Sequence, residues 1–157
     1  MNTQFWVTVA LVVLFTTSGQ LVAGEKEEKE LQVPKAVLDA FEKAYPNAQE
    51  VEFEEETIDG KIFYEIEYKE NGKEFEILYD VNGVIVQKEE TIDVKNLPDQ
   101  IVQAINTAYP KATIEEAEKL MKADGTVIGY EVEIKAEGKE YELELDASGK
   151  ILKTEED

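Results

Sequence analysis

The sequence predicts an α+β fold: two tandem α-β-β-β-β units forming an antiparallel meander sheet, with the two helices packed on one face. Three observations carry this expectation. The chain from residue 33 onward is written twice. Each copy opens with a short apolar stripe closed by Tyr-Pro. Each copy then holds three X-Gly pairs between segments that alternate apolar and acidic residues.

The duplication is visible residue by residue. Pro34, Ala44, Tyr45, Pro46 and Ala48 recur at a constant offset as Pro98, Ala108, Tyr109, Pro110 and Ala112. Tyr64, Glu65, Glu67 and Gly72-Lys73-Glu74 return as Tyr130, Glu131, Glu133 and Gly138-Lys139-Glu140. Asp80, Gly83 and Ile85 return as Asp146, Gly149 and Ile151, so the second copy carries a two-residue insertion near its first hairpin.

The first helix follows from Pro34, suited to the N1 position, where the missing N–H costs nothing. Val37, Leu38, Phe41, Ala44 and Tyr45 then form one apolar stripe. Pro46 ends it, because the residue before proline is pushed out of the α region. Pro98, Ile101, Val102, Ile105, Ala108, Tyr109 and Pro110 repeat the logic. Helices this short need a surface to pack on.

Strands supply that surface. Asp59-Gly60, Asn71-Gly72 and Asn82-Gly83 in the first copy, and Asp124-Gly125, Glu137-Gly138 and Ser148-Gly149 in the second, mark hairpins. Tyr64 to Tyr68, Phe75 to Ile77, Tyr130 to Ile134 and Tyr141 to Leu145 alternate with period two, so the apolar residues face the helices and carboxylates face water. Ile114 to Lys122 is rich in helix formers, but its counterpart in the first copy reads as a strand. The repeat is followed and a strand expected. The units span 33–91 and 97–157, joined by a linker over 92–96.

Residues 1–24 read as a secretory signal peptide: an apolar run from Phe5 to Phe15, small residues at Val22 to Gly24, and charges beginning at Glu25. The run is shorter than a membrane span requires. Cleavage near Gly24 would leave a charged leader over 25–32, no membrane insertion, and a periplasmic or secreted product.

Composition excludes whole classes. The chain of 157 residues has 36 Asp plus Glu against 16 basic residues, all Lys, for a net charge of −20. That surface repels nucleic acid and anionic membranes. His and Cys, the usual zinc, copper and iron ligands, are absent, and no cofactor is expected. Past the expected signal peptide the one serine is Ser148, in a turn, with no histidine to activate it. Glutamate pairs could in principle hydrolyse glycosides, but only from a cleft that separates their pKa values, and here they lie along strands.

The candidate binding surface is therefore the acidic sheet face: Glu65, Glu67, Glu74 and Glu76 in the first copy, and Glu131, Glu133, Glu140, Glu142 and Glu144 in the second. Lys69, Lys73, Lys135 and Lys139 are expected to offset part of its charge. A one-sign field keeps a sheet soluble and also steers opposite charge. Asp80-x-Asn82-Gly83 shares the opening of a calcium loop, and it is also an ordinary hairpin sequence.

The helix ending in Ala44-Tyr45-Pro46 and Ala108-Tyr109-Pro110, followed by Asp80-Val81-Asn82-Gly83 and Asp146-Ala147-Ser148-Gly149, resembles the PepSY-like family, whose secreted tandem members are described as β-lactamase-inhibitor-like. The resemblance implies an exported, non-catalytic binding module that recognises a protein, in some relatives as an inhibitor of a secreted or envelope enzyme. The charge points to a basic partner. A divalent-cation (calcium) binding envelope protein is the alternative expectation.

Overall fold

The computed structural model describes residues 31–156, so the expected signal peptide and most of the charged leader lie outside the described residues. Each repeat is one helix followed by four strands. The first holds α1 (Lys35–Ala44), β1 (Gln49–Ile58), β2 (Lys61–Glu70), β3 (Lys73–Asp80) and β4 (Ile85–Thr91). The second holds α2 (Asp99–Ala108), β5 (Thr113–Met121), β6 (Val127–Ala136), β7 (Lys139–Asp146) and β8 (Ile151–Glu156). All eight strands join one antiparallel sheet in sequence order. The helix-rich composition of Ile114 to Lys122 is overridden: all of it but Lys122 lies in β5, paired with β6 on one side and β4 on the other.

Both helices pack on the same face, over separate cores. Val37 and Phe41 of α1 meet Tyr64, Ile66, Tyr68, Ile77 and Tyr79. Ile101 and Ile105 of α2 meet Val132, Ile134, Leu143 and Leu145. Burying such a side chain contributes roughly 1.5–3 kcal/mol, which a ten-residue helix needs to persist. Aromatic rings fill the first core: Phe41 lies 5.3 Å from Tyr68, which stacks on Phe75 at 5.2 Å. In the second repeat Ile105, Ile134 and Tyr141 take these places.

Three expectations are corrected. Pro34 and Pro98 are N-caps, one position before N1. Their ψ values of 139° and 145° are extended, and the Pro34 carbonyl accepts the first helical bonds, from the N–H groups of Val37 and Leu38. Ala44 and Ala108 are exposed. The stripe runs instead through Ala40 and Ala104, because those alanines face the last hairpin of their own repeat. Finally, not every apolar side chain faces the helices: Ile58, Phe63, Leu78 and Val86 form a small cluster of their own. Register sets it at one end of the opposite face, since Leu78 lies across from Glu65 and Phe63 across from Glu56.

The Asp-x-x-Gly motif locks each last hairpin against its helix. Asp80 Oδ1 accepts the N–H groups of Asn82 (2.9 Å) and Val84 (3.0 Å), and Asp146 Oδ1 does the same for Ser148 and Lys150. The Val84 N–H first of all holds Asp80 below its ordinary pKa, and the Ser148 hydroxyl, which donates to Asp146 Oδ1 at 2.6 Å, does the same for Asp146. Gly83 has φ +77°, and a Cβ there would lie 2.4 Å from the Ala36 carbonyl oxygen. Gly149 has φ +92° and would meet the Gln100 carbonyl oxygen at 2.8 Å. Gly60 has φ +74° but open space around it. In urea unfolding, Gly83→Ala should therefore cost about 2–4 kcal/mol and Gly60→Ala about 1 kcal/mol. Equal losses would show that the hairpin does not seat on the helix.

Candidate functional site

Period-two alternation sends glutamates to the face away from the helices, and the sheet register brings them directly opposite one another. In the first repeat Glu52 faces Glu67, Glu54 faces Glu65, Glu67 faces Glu76, and Glu76 faces Glu89. In the second, Glu116 faces Glu133, Glu118 faces Glu131, Glu131 faces Glu144, and Glu133 faces Glu142. Like charges opposite each other on a sheet are destabilising.

The centre of this face is not solvated. Glu65 and Glu89 are each 5% exposed and Glu131 is 9% exposed. Burial, then the neighbouring Glu76, push the Glu65 carboxyl up to about 9. Burial, then Glu118 and Glu89, push Glu76 to about 9. Burial, then Glu89 and Glu142, push Glu131 to about 10. Glu89 lies well above the ordinary range and Glu118 is raised, each mainly by burial. Carboxyl oxygens of Glu89, Glu118 and Glu76 lie within 4.8 Å of one another. Gln87 Nε2 donates to Glu89 Oε1 at 2.9 Å, and Thr91 Oγ1 donates to Glu118 Oε1 at 3.1 Å.

Among the described residues lysine reaches only the edges of this face, where Lys153 of β8 stands opposite Glu144. Lys69 pairs with Glu50 (2.9 Å) and Glu74 (3.0 Å), and Lys135 with Glu140 (2.6 Å). Lys73 and Lys139 share strand parity with Phe75 and Tyr141, and so lie on the helix side, where they pair with Glu90 and Glu156. The expectation that these two offset the acidic face is thus corrected.

The nine predicted site residues share one face but not one environment. Glu74, Glu133 and Glu140 are exposed, Glu67, Glu76, Glu142 and Glu144 half-buried, and Glu65 and Glu131 buried, which corrects the expectation of a uniformly solvated array. The sequence reading missed Glu52, Glu54, Glu56, Glu89, Glu116 and Glu118. The signal for Glu116 and Glu118 was present once 114–122 was taken as a strand, since they stand at period two there. Beside the centre, Glu56 is buried, with its Oε1 lacking a hydrogen-bond partner. A groove of about 210 Å³ opens on the acidic side, lined by Glu52, Glu67, Lys69, Glu74, Glu76, Glu116 and Glu118 among others.

Two chemistries can be judged from this geometry. Carboxylate-pair hydrolysis needs one acid raised and one left ionised. Here burial raises Glu65, Glu76, Glu89, Glu118 and Glu131 together. For a metal, Glu76, Glu89 and Glu118 bring oxygens within 4.8 Å of one another. Calcium takes six to eight oxygens. Three carboxyls supply part of such a shell. Asp80 spends its carboxylate on its own hairpin.

The linkage has a definite sign. A carboxyl raised in the folded state stabilises the fold most below its unfolded pKa, near 4.5, and that contribution is lost as pH climbs through the folded value. The window here runs from about 4.5 up to about 9 or 10. Urea midpoints should therefore fall steadily from about pH 5 to about pH 9. Glu131→Gln should flatten that slope and raise stability at about pH 8 by on the order of 1–2 kcal/mol. Stability that rose with pH over this window would contradict the buried-carboxyl geometry.

Comparison with known proteins places the fold. No curated protein matches the chain. A BLIP-like protein from Bacteroides fragilis is similar in structure at a TM-score of 0.61 and 21% identity, over 84% of this chain and 92% of that one. A structure titled "putative periplasmic proteins", from Bacteroides eggerthii, is similar at a TM-score of 0.66 and 14% identity, over 80% of this chain and 89% of that one. The family described as "Putative beta-lactamase-inhibitor-like, PepSY-like" matches twice, over residues 4–87 and 84–153. By that double match, and by its two helix-plus-meander repeats, the chain belongs to the PepSY-like family.

Proposed function

We propose that this protein is an exported, non-catalytic binding module whose acidic sheet face docks a protein partner with a basic surface. The observation that carries the reading is the sheet face itself: among the described residues no helix covers it, and its glutamates stand opposite one another with lysines only at the margins. A net charge of −20 steers positive surfaces toward it and repels negative ones. The inhibitor-like description of the family supports a role in binding, with inhibition of a secreted or envelope enzyme as its sharper form. The apolar run before Glu25 and the word "periplasmic" in the name of a structural neighbour support an envelope or extracellular location. Among the described residues no helix is long and apolar enough to cross a membrane.

Exposed Glu52, Glu74 and Glu116 line the groove and are the residues a partner would meet first. An envelope extract passed over the immobilised chain should yield a basic protein that elutes as salt rises from about 0.1 M to about 0.5 M, because screening shortens the reach of the field. Changing those three glutamates to lysine should weaken binding of the captured protein at least about tenfold, a loss of roughly 1.4 kcal/mol. Binding indifferent to both salt and these changes, or nothing captured at low salt, would overturn the reading.

A further inference from the structure

The two repeats are joined at one place. Their apolar cores share no residue, each being closed by its own helix. What holds them in one sheet is the β4–β5 ladder, the shortest in the molecule, running only from Lys88↔Met121 to Thr91↔Glu118 and extended by one bond from the Ile92 N–H to the Ala117 carbonyl (2.9 Å). On the helix side this seam is lined by polar groups rather than core: Glu90 of β4 pairs with Lys119 of β5 (2.6 Å) and with Lys73 of β3, and Lys88 lies 5.9 Å from the Tyr45 ring.

On the other side the seam carries the carboxyl cluster. Glu89 of β4 and Glu118 of β5 bring carboxyl oxygens within 4.8 Å of each other and of Glu76 across it. Facing them are Glu76 and Glu74 from β3, Glu65 and Glu67 from β2, Glu116 on β5 itself, and Glu131 and Glu133 from β6. Asp93, in the turn after β4, holds its carboxylate on the Lys95 N–H. Glu118 and Glu65 act to raise Glu89, and Glu116 and Glu133 act to raise Glu118, in each case after burial.

We propose that the β4–β5 seam is a proton-gated joint. With its central carboxyls protonated, the two repeats form one sheet. When those protons leave, β4 parts from β5, while each repeat keeps its own core and the chain over 92–98 stays as tether. Ionised carboxylates this close repel, and against that repulsion the seam sets a ladder of four residue pairs and the buried Leu120, which stands opposite Glu89. Burial raises all four of Glu76, Glu89, Glu118 and Glu131, and the values of about 9 for Glu76 and about 10 for Glu131 set the joint to act on the alkaline side of neutrality. This joint is independent of whatever docks on the face.

The native sequence has no cysteine, so spin labels can be placed at Glu42→Cys on α1 and Gln103→Cys on α2, both exposed, in the full chain. The inter-label distance distribution should be single and narrow at about pH 5, and should broaden to longer distances at about pH 9.5. The near-ultraviolet signal of the core tyrosines should persist at both. Glu89→Gln with Glu118→Gln should keep the narrow distribution at high pH, and if that pair misfolds, Glu131→Gln should shift the transition upward. An unchanged distribution across the range would overturn the joint, as would loss of both cores at the same pH as the distance change.

Discussion

The constraint on which the rest of this structure depends is the register that sets glutamate against glutamate across neighbouring strands. Residues directly opposite on an antiparallel pair bring their Cβ atoms to within about 5 Å. At that spacing unscreened carboxylates would drive strands apart. The sheet tolerates the arrangement because long side chains bury one another at its centre, and burial favours the neutral acid. Protons then do inside the face what lysines do at its margins. Duplication compounds the effect: Glu52, Glu54, Glu65 and Glu67 have their counterparts in Glu116, Glu118, Glu131 and Glu133, so joining two copies edge to edge stacks the same acidic rows side by side.

Much of the fold was legible in the sequence, because its signals are local. Asn71-Gly72 and Glu137-Gly138 place both residues at positive φ, as a two-residue hairpin turn requires. Tyr64, Ile66 and Val132 are buried beneath the helices, as their alternation implies, and Tyr130 packs against the second core. The two-residue insertion falls at the first hairpin of the second repeat, where the turn spans Lys122 to Thr126. Short apolar segments placed the helices correctly but mistook Ala44 for Ala40. The choice between them is made by the hairpin bearing Gly83, a contact between residues far apart in the chain.

The candidate site was legible only in outline. Strand alternation puts Glu65 and Glu131 on the acidic face, but how deeply they sit depends on which strands flank them. Glu89 shows the same limit. It lies in a strand without clean alternation, and its importance comes from pairing with Glu76 on one side and reaching Glu118 on the other. Register between repeats, which no local pattern encodes, is what gathers these groups.

The acidic face thus has two zones. Its rim is exposed and supplies the long-range field. Its centre is buried and uncharged near neutrality, and supplies cohesion only while its protons remain. Site-resolved carbon-13 titration of the glutamate side-chain carboxyls tests that division most directly. The account predicts that Glu65, Glu76 and Glu131 titrate near 9 to 10 while Glu140 titrates below its ordinary value, held there by Lys135. Titration of all four together in the ordinary range near 4.5 would contradict it.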